Sequence, residues 1–311
     1  MGTNSVCLGV LRSRAQSEAN MENSQFVSTT EWNTFISASY KELYDLLVTS
    51  YGNEYEVALP YSITTVDNNK DYPLPDNFYK LLGVDLKVSA TPDSWITLRK
   101  FQFTERNKYW LANQYAYYGV TNIRYRLVGS NLMLTPMPVP GQELQLWYIP
   151  EPTNLQLQCM ADITMDSEII YTSATYVDQI TPGMKVVSDF FPVGTTVDSI
   201  DIGLNAVILT NNALATNTST LLSFYDDSSE IDGISGFEEY IVVDAAIKAM
   251  GKEESDPSLL MARKEALRIR ITESAENRDV GLPDRVTDTM SIETNMPGGT
   301  GFPGGFDPGG M

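Results

Sequence analysis

The sequence predicts an α+β protein: a helical bundle, made of an N-terminal helix and a C-terminal helix hairpin, with a small antiparallel β domain, an inserted all-β module and an extended C-terminal arm. Three observations lead there. Long stretches near both ends repeat their apolar residues at helical spacing. The chain between them shifts to a period of two. The last residues are dominated by Gly and Pro. The expected organisation is N-terminal helices over 1–54, the β domain over 55–156, the inserted module over 157–234, the hairpin completing the helical domain over 235–282, and the arm over 283–311.

The first long helix is the clearest element. Ser28-Thr29-Thr30-Glu31 is a capping box, with Ser28 as the cap and Glu31 reaching back to it. Trp32, Phe35, Ile36, Tyr40, Leu43, Tyr44 and Leu47 then keep helical spacing, and Gly52 closes a helix expected over 30–50. A shorter helix over 5–20 is suggested by Val6, Leu8, Val10 and Leu11. Strand signals follow. Residues 95–103 alternate in part, Ile123, Tyr125 and Leu127 alternate with polar neighbours, and Gly129-Ser130-Asn131 turns the chain into Leu132-Met133-Leu134. Leu144, Leu146 and Tyr148 alternate again, and Pro73, Pro75, Pro136, Pro138 and Pro140 mark loops. A short helix is expected over 104–113.

Between Leu155 and Ser235 the chain is rich in Thr, Ser, Asn, Val and Ile and holds eleven acidic residues against Lys185 alone. Strand-like runs at 169–171, 184–187, 196–200, 206–210 and 219–224, parted by Pro182-Gly183, Pro192-Val193-Gly194 and Gly203, predict a compact all-β module. Helical spacing returns over 237–254. Asp256 and Pro257 then supply an N-cap and a first-turn proline for a helix over 257–279, so the two helices should form an antiparallel hairpin. The arm repeats a Pro-Gly-Gly unit three times, after Met296, Phe302 and Asp307. Met296, Phe302 and Phe306 are spaced as apolar anchors for another subunit.

Chemistry is constrained by what is missing. The chain has no histidine, which excludes Ser-His-Asp and Cys-His nucleophile pairs and every His-based metal site. Its two cysteines, Cys7 and Cys159, form no C-x-x-C pair, so neither a disulfide framework nor a zinc knuckle is expected. No phosphate-cradling glycine loop occurs. No apolar run approaches the roughly 20 residues that span a bilayer, and the arginines after Val6–Leu11 argue against a secretory signal. The net charge of −19 disfavours broad binding to nucleic acid, while it suits a passage through which DNA slides without sticking; simple solubility explains the charge equally well. Ser228, Glu230, Asp232, Gly233 and Glu239 match part of a calcium loop, but Ser stands where Asp is needed and no helix enters, so an acidic hinge is the plainer reading. Tyr109, Trp110, Tyr115, Tyr117 and Tyr118 form an aromatic stripe that suits either a core or an interface. Arg263, Lys264, Arg268, Arg270 and Arg278 lie on several faces of the last helix among Glu265, Glu273 and Glu276. That pattern fits a solvated face with internal ion pairs, or docking on an acidic partner.

Several segments resemble the head-to-tail adaptor (neck, or connector) proteins of tailed bacteriophages. Residues 21–27, Glu31-Trp32-Asn33 and 38–47 are similar to the family's N-terminal helix. Residues 237–248, 252–256 and Arg278-Asp279 are similar to its C-terminal hairpin, and 72–84 with Tyr148-Ile149-Pro150 to the β segments between. The segment 183–224 is similar to small β modules of virion proteins, and it is here that the chain departs from a minimal adaptor. The resemblance implies a structural virion protein and not an enzyme, with no cofactor and no bound metal. It implies synthesis in the host cytoplasm and a place in the virion neck, with no membrane. It implies a homo-oligomeric ring, commonly a dodecamer, that binds the portal protein, extends the channel through which genomic DNA passes without sequence-specific contacts, and presents a platform to tail or other neck proteins. The residues expected at portal or subunit contacts are Arg263, Arg268, Arg270, Arg278, Arg285, Met296, Phe302 and Phe306. The alternatives are another tail or fibre-anchoring component, or a virion protein that binds or degrades glycans.

Overall fold

The computed structural model describes residues 6–22, 24, 26–51, 57–90, 93–106, 123–231 and 236–276. Of these, 31% are helical and 35% lie in strands, which overturns the expectation of a helical bundle with a small β domain attached. The strands form four sheets, of two, six, four and four members. The helices are a layer on a mostly β protein. The physical reason for the misreading is visible in the longest strand, Phe78–Ala90. Register shifts at Phe78/Lys80, Leu81/Gly83 and Lys87/Ser89 break its alternation, so its period of two is not legible in the sequence. The helical stripe from Trp32 to Leu47, by contrast, is uninterrupted.

In chain order, β1 (Val6–Cys7), α1 (Leu8–Glu18) and α2 (Thr29–Ser50) come first. The capping box at the start of α2 is present in both directions, Ser28 with the Glu31 backbone and Glu31 with the Ser28 backbone. Next are β2 (Tyr61–Thr64), β3 (Asp71–Pro73), β4 (Phe78–Ala90), β5 (Asp93–Thr97), β6 (Arg99–Lys100), β7 (Arg124–Val128), β8 (Asn131–Thr135) and β9 (Glu143–Pro150). They make two sheets, ordered β2-β9-β4-β5 and β3-β8-β7-β6. Val84, Leu86, Leu144 and Leu146 of the first sheet share one core with Tyr72, Leu132 and Leu134 of the second. Where a helix was expected over 104–113, Phe103–Glu105 is a single 3-10 turn, and residues 107–122, with the whole aromatic stripe, lie outside the described residues.

The next strands are β10 (Gln156–Ile163), β11 (Ile169–Thr172), β12 (Lys185–Val187), β13 (Val197–Asp201), β14 (Ala206–Leu209) and β15 (Asn217–Tyr225), with the short helix α3 (Ala174–Val177) after β11. They form one sheet in the order β12-β15-β10-β11-β14-β13, curled into a half-barrel. Its two edge strands approach each other: Gly183 N–H donates to Val197 C=O at 2.8 Å, Val197 N–H to Met184 C=O at 2.8 Å, and Val186 N–H to Thr195 C=O at 2.9 Å. Edge backbone groups that would otherwise be open to another chain are thereby used. The turn before β13 needs Gly194, at φ +91°. Inside lie Ile170, Val186, Val207, Leu222 and Phe224. Strand β16 (Glu230–Ile231) returns to pair with β1, and α4 (Glu238–Lys252) and α5 (Ser258–Glu276) complete the described chain.

The helical layer has its own core. Leu8 and Leu11 of α1, Trp32, Ile36, Leu43 and Leu47 of α2, Tyr240, Ile241, Val243 and Ala246 of α4, and Leu260 and Ile271 of α5 all belong to it. So does Ile149 of β9, with Leu82 of β4 packed against it. Leu144 and Leu146 of the same strand face the other sheet. The first sheet is therefore covered by its partner on one face and by helices on part of the other.

The period-two register of β15 makes a direct test. Leu222 is fully buried while its neighbour Leu221 is half exposed and faces outward opposite Met160. Leu222→Ala should cost about 3 kcal/mol in urea unfolding, and Leu221→Ala about 0.5 kcal/mol or less. Equal effects would contradict the register.

Candidate functional site

The helical layer is tied together by charge. Asp244 sits on α4 inside the run Ile241-Val242-Val243-Asp244-Ala245-Ala246 and is 97% buried by its 3% exposure. An isolated carboxylate there would be costly. Two lysines answer it. Lys248, one turn along α4, donates to one of its oxygens, and Lys264 of α5 donates to the other at 2.8 Å. Lys248 Nζ also donates to Ser39 Oγ of α2 at 2.9 Å. Lys264 Nζ reaches Glu42 Oε1 of α2 at 2.7 Å, and Tyr240 OH donates to the same oxygen at 2.8 Å. Three helices are thus joined through one set of groups. Burial pushes the Asp244 carboxyl up, but the bonds donated by Lys248 and Lys264, with Ser39, outweigh it and hold it below its ordinary value. Burial lowers Lys264, yet Asp244 and Glu42 raise it further, so it stays charged. Tyr240 is pushed up to about 12 by burial and by Glu42. These shifts keep Asp244 and Lys264 charged and Tyr240 neutral at neutral pH. The network is a brace.

A second brace joins α1 to the β module. Arg12 donates to Asp227 at 2.6 Å and to Asn33 Oδ1 of α2 at 3.0 Å, with its guanidinium 5.6 Å from the Tyr225 ring centre. Lys185 of β12 reaches the other Asp227 oxygen at 2.6 Å. Burial acts against the Asp227 charge, and the Lys185 and Arg12 bonds prevail to hold its carboxyl low. The first turn of α1 docks on the same turn of chain: Leu8 N–H donates to Ser229 C=O and Gly9 N–H to Asp227 C=O, both at 3.0 Å. Gly9 permits that approach, since a Cβ there would lie 3.2 Å from Asp227 Cβ.

The residues singled out from sequence fall in three places. Arg263 of α5 lies at the surface of the layer, paired with Glu18 of α1 and Glu239 of α4. Arg268 pairs with Glu265 on its own helix at 2.7 Å. Arg270 is exposed and has no ion pair among the described residues. Arg278, Arg285, Met296, Phe302 and Phe306 lie outside the described residues. Of the partial calcium loop, Asp232 and Gly233 also lie outside them. Glu239 is engaged by Arg263 and Arg14, and Ser228 Oγ donates to Asp226 at 2.7 Å. Among the described residues no group of three His, Cys, Asp or Glu is placed to hold a metal ion.

What sequence reading missed is a surface. The inner face of α5 carries Leu260, Leu267 and Ile271. A second row, Leu259, Ala262, Ala266 and Ile269, follows at spacings of three, four and three and is exposed, Leu259 by 82% and Ile269 by 48%. Met261 stands beside it, half exposed. The signal was in the sequence: Leu259 and Ile269 fall off the stripe of Leu260, Leu267 and Ile271 and stand among charged residues. The chain matches no protein-family model and no curated protein.

Removing the Asp244 charge leaves two lysines facing one another in a partly buried site. Asp244→Asn should therefore cost about 3 kcal/mol in urea unfolding at neutral pH. Folded-state values for Asp244 and Asp227 lie below the unfolded carboxylate value of about 4. Their contribution is thus complete above that pH and is lost as pH falls through the lowered values. Stability measured from pH 6 downward should decline less steeply in Asp244→Asn than in the parent, and parallel curves would rule out the brace.

Proposed function

We propose that this chain is a structural adaptor subunit of a tailed-phage neck, acting as one member of a ring between portal and tail. The observation that carries the reading is the second apolar row on α5. A helix packed on one side that also exposes Leu259 and Ile269 in a second row can bury them on a further partner, and in a ring each copy supplies one to the next. The contact in a ring is heterologous, with α5 meeting a different surface of the neighbour.

Resemblance to adaptor proteins over residues 20–155 and 235–288 supports the same reading. The acidic module contributes ten of the nineteen net negative charges, and acidic surface facing a channel repels DNA and keeps it moving. The braces at Asp244 and Asp227 would hold each subunit rigid, as a ring under load requires. In this reading the arm over 283–311 secures the ring to the portal, and the platform opposite receives the tail.

Native mass spectrometry of the full chain, alone and with added portal, tests the assembly: a large cyclic oligomer is expected. The double substitution Leu259→Glu with Ile269→Glu should abolish it while leaving the thermal midpoint unchanged, because both side chains are exposed. A monomer under both conditions sinks the proposal. Removing residues 283–311 should weaken portal attachment and leave the fold intact; undiminished attachment would remove the arm's role.

A further inference from the structure

The part of the first sheet not covered by helices presents an unusual face. On β9 the residues pointing away from the sandwich core are Glu143, Gln145 and Trp147, before Ile149 disappears under the helical layer. The register places Lys87 and Trp95 in the row of Glu143, and Asp85 and Thr97 in the row of Gln145. Gly83 lies opposite Trp147. The outer face of an antiparallel sheet ordinarily holds only polar and charged side chains. Here two partly exposed indoles stand on it, at opposite corners.

Both indoles are held in place. Trp147 Nε1 donates to Asp85 Oδ2 at 2.7 Å, across to β4, and Trp95 Nε1 donates to Asp93 Oδ2 at 3.2 Å. Lys87 Nζ lies 5.1 Å from the Trp95 ring centre and 2.9 Å from Glu143 Oε2. Between the rings Asp85 and Glu143 each hold one such bond, from Trp147 and Lys87, and as carboxylates keep further acceptor capacity. Gln145 and Thr97 make no side-chain hydrogen bond among the described residues. The space above Gly83 is open, with no atom within 4 Å of where a Cβ would stand. From strand spacing and rise, the two tryptophans are about 16 Å apart.

We propose that this face is a binding platform for a neutral, linear oligosaccharide. Indole rings offer the flat apolar surface that the C–H faces of a pyranose ring stack on. Asp85, Glu143, Gln145 and Thr97 between them offer the acceptors and donors that ring hydroxyls need. The separation of the rings suits several sugar units, not one. Carboxylates at Asp85, Asp93 and Glu143 outnumber Lys87 on the face, and the whole chain is acidic, so anionic glycans are repelled. Strand backbones fix the platform in advance, which keeps the ordering cost of binding low. The platform does not depend on the ring reading; a ring would add avidity by repeating it.

The test is titration of the full chain with hexasaccharides of the cello-, malto-, manno- and chito- series, followed by tryptophan fluorescence and by isothermal calorimetry. One series should bind, more tightly as its length grows from disaccharide to tetrasaccharide, and an anionic polymer such as alginate should not. Trp147→Ala and Trp95→Ala should each weaken binding about tenfold or more, one decade of affinity per stacked ring lost. Gly83→Val is the independent variant: it suits a strand, meets no neighbour, and fills the open space, so it should weaken binding with the thermal midpoint kept. Absence of binding by all four series, or binding that survives all three substitutions, overturns the platform.

Discussion

Asp244 is the constraint around which the helical layer is arranged. A carboxylate placed in an apolar helix run is tolerable only if cations reach it, and the two that do come from different helices. Lys248 lies one turn away and was always within reach. Lys264 comes from α5 and brings Glu42 of α2 into the same set of contacts. The crossing of α2, α4 and α5 is therefore set by where these charged ends must meet as well as by how Leu43, Val243 and Leu260 pack. Apolar contact alone tolerates sliding; a shared carboxylate does not.

That rigidity passes to the sheets. Tyr44 of α2 donates its hydroxyl to Pro150 C=O at the end of β9 at 2.7 Å, and its ring meets Tyr79 of β4 edge-on. Tyr79 in turn donates to Asp45 of α2, and that bond, with burial, pushes its hydroxyl up to about 12. The half-barrel is fastened on the other side through Arg12, Asp227 and Lys185. Each body has its own hydrophobic cluster, and polar groups of long sequence separation hold the bodies in register. Such an arrangement leaves the bodies little internal play.

Two surfaces remain outside this internal economy. The outer row of α5 is apolar and belongs to assembly in the proposed ring. The indole-bearing face of the first sheet is polar and partly exposed, and the partner proposed for it is a sugar. They lie on different elements and call for different partners, so the two proposals do not conflict.

The helices were largely legible. The capping box at Ser28 and Glu31, the stripe from Trp32 to Leu47 and the break at Asp256-Pro257 are local signals, and local signals survive into the fold because each helix satisfies its own backbone. The lack of histidine chemistry and the acidity of the segment between Leu155 and Ser235 were equally plain. The predominance of sheet was not, because bulges in β4 erase the alternation that announces a strand. Nor were the braces: Glu42 and Lys264 are 222 residues apart. The lone Asp244 in an apolar run advertised a need for partners without naming them. Which half of the first sheet is buried, and so which of Trp147 and Ile149 faces water, was decided only when the helical layer settled on β9. A strand's sequence specifies two faces, and tertiary packing alone chooses how far along each face the cover extends.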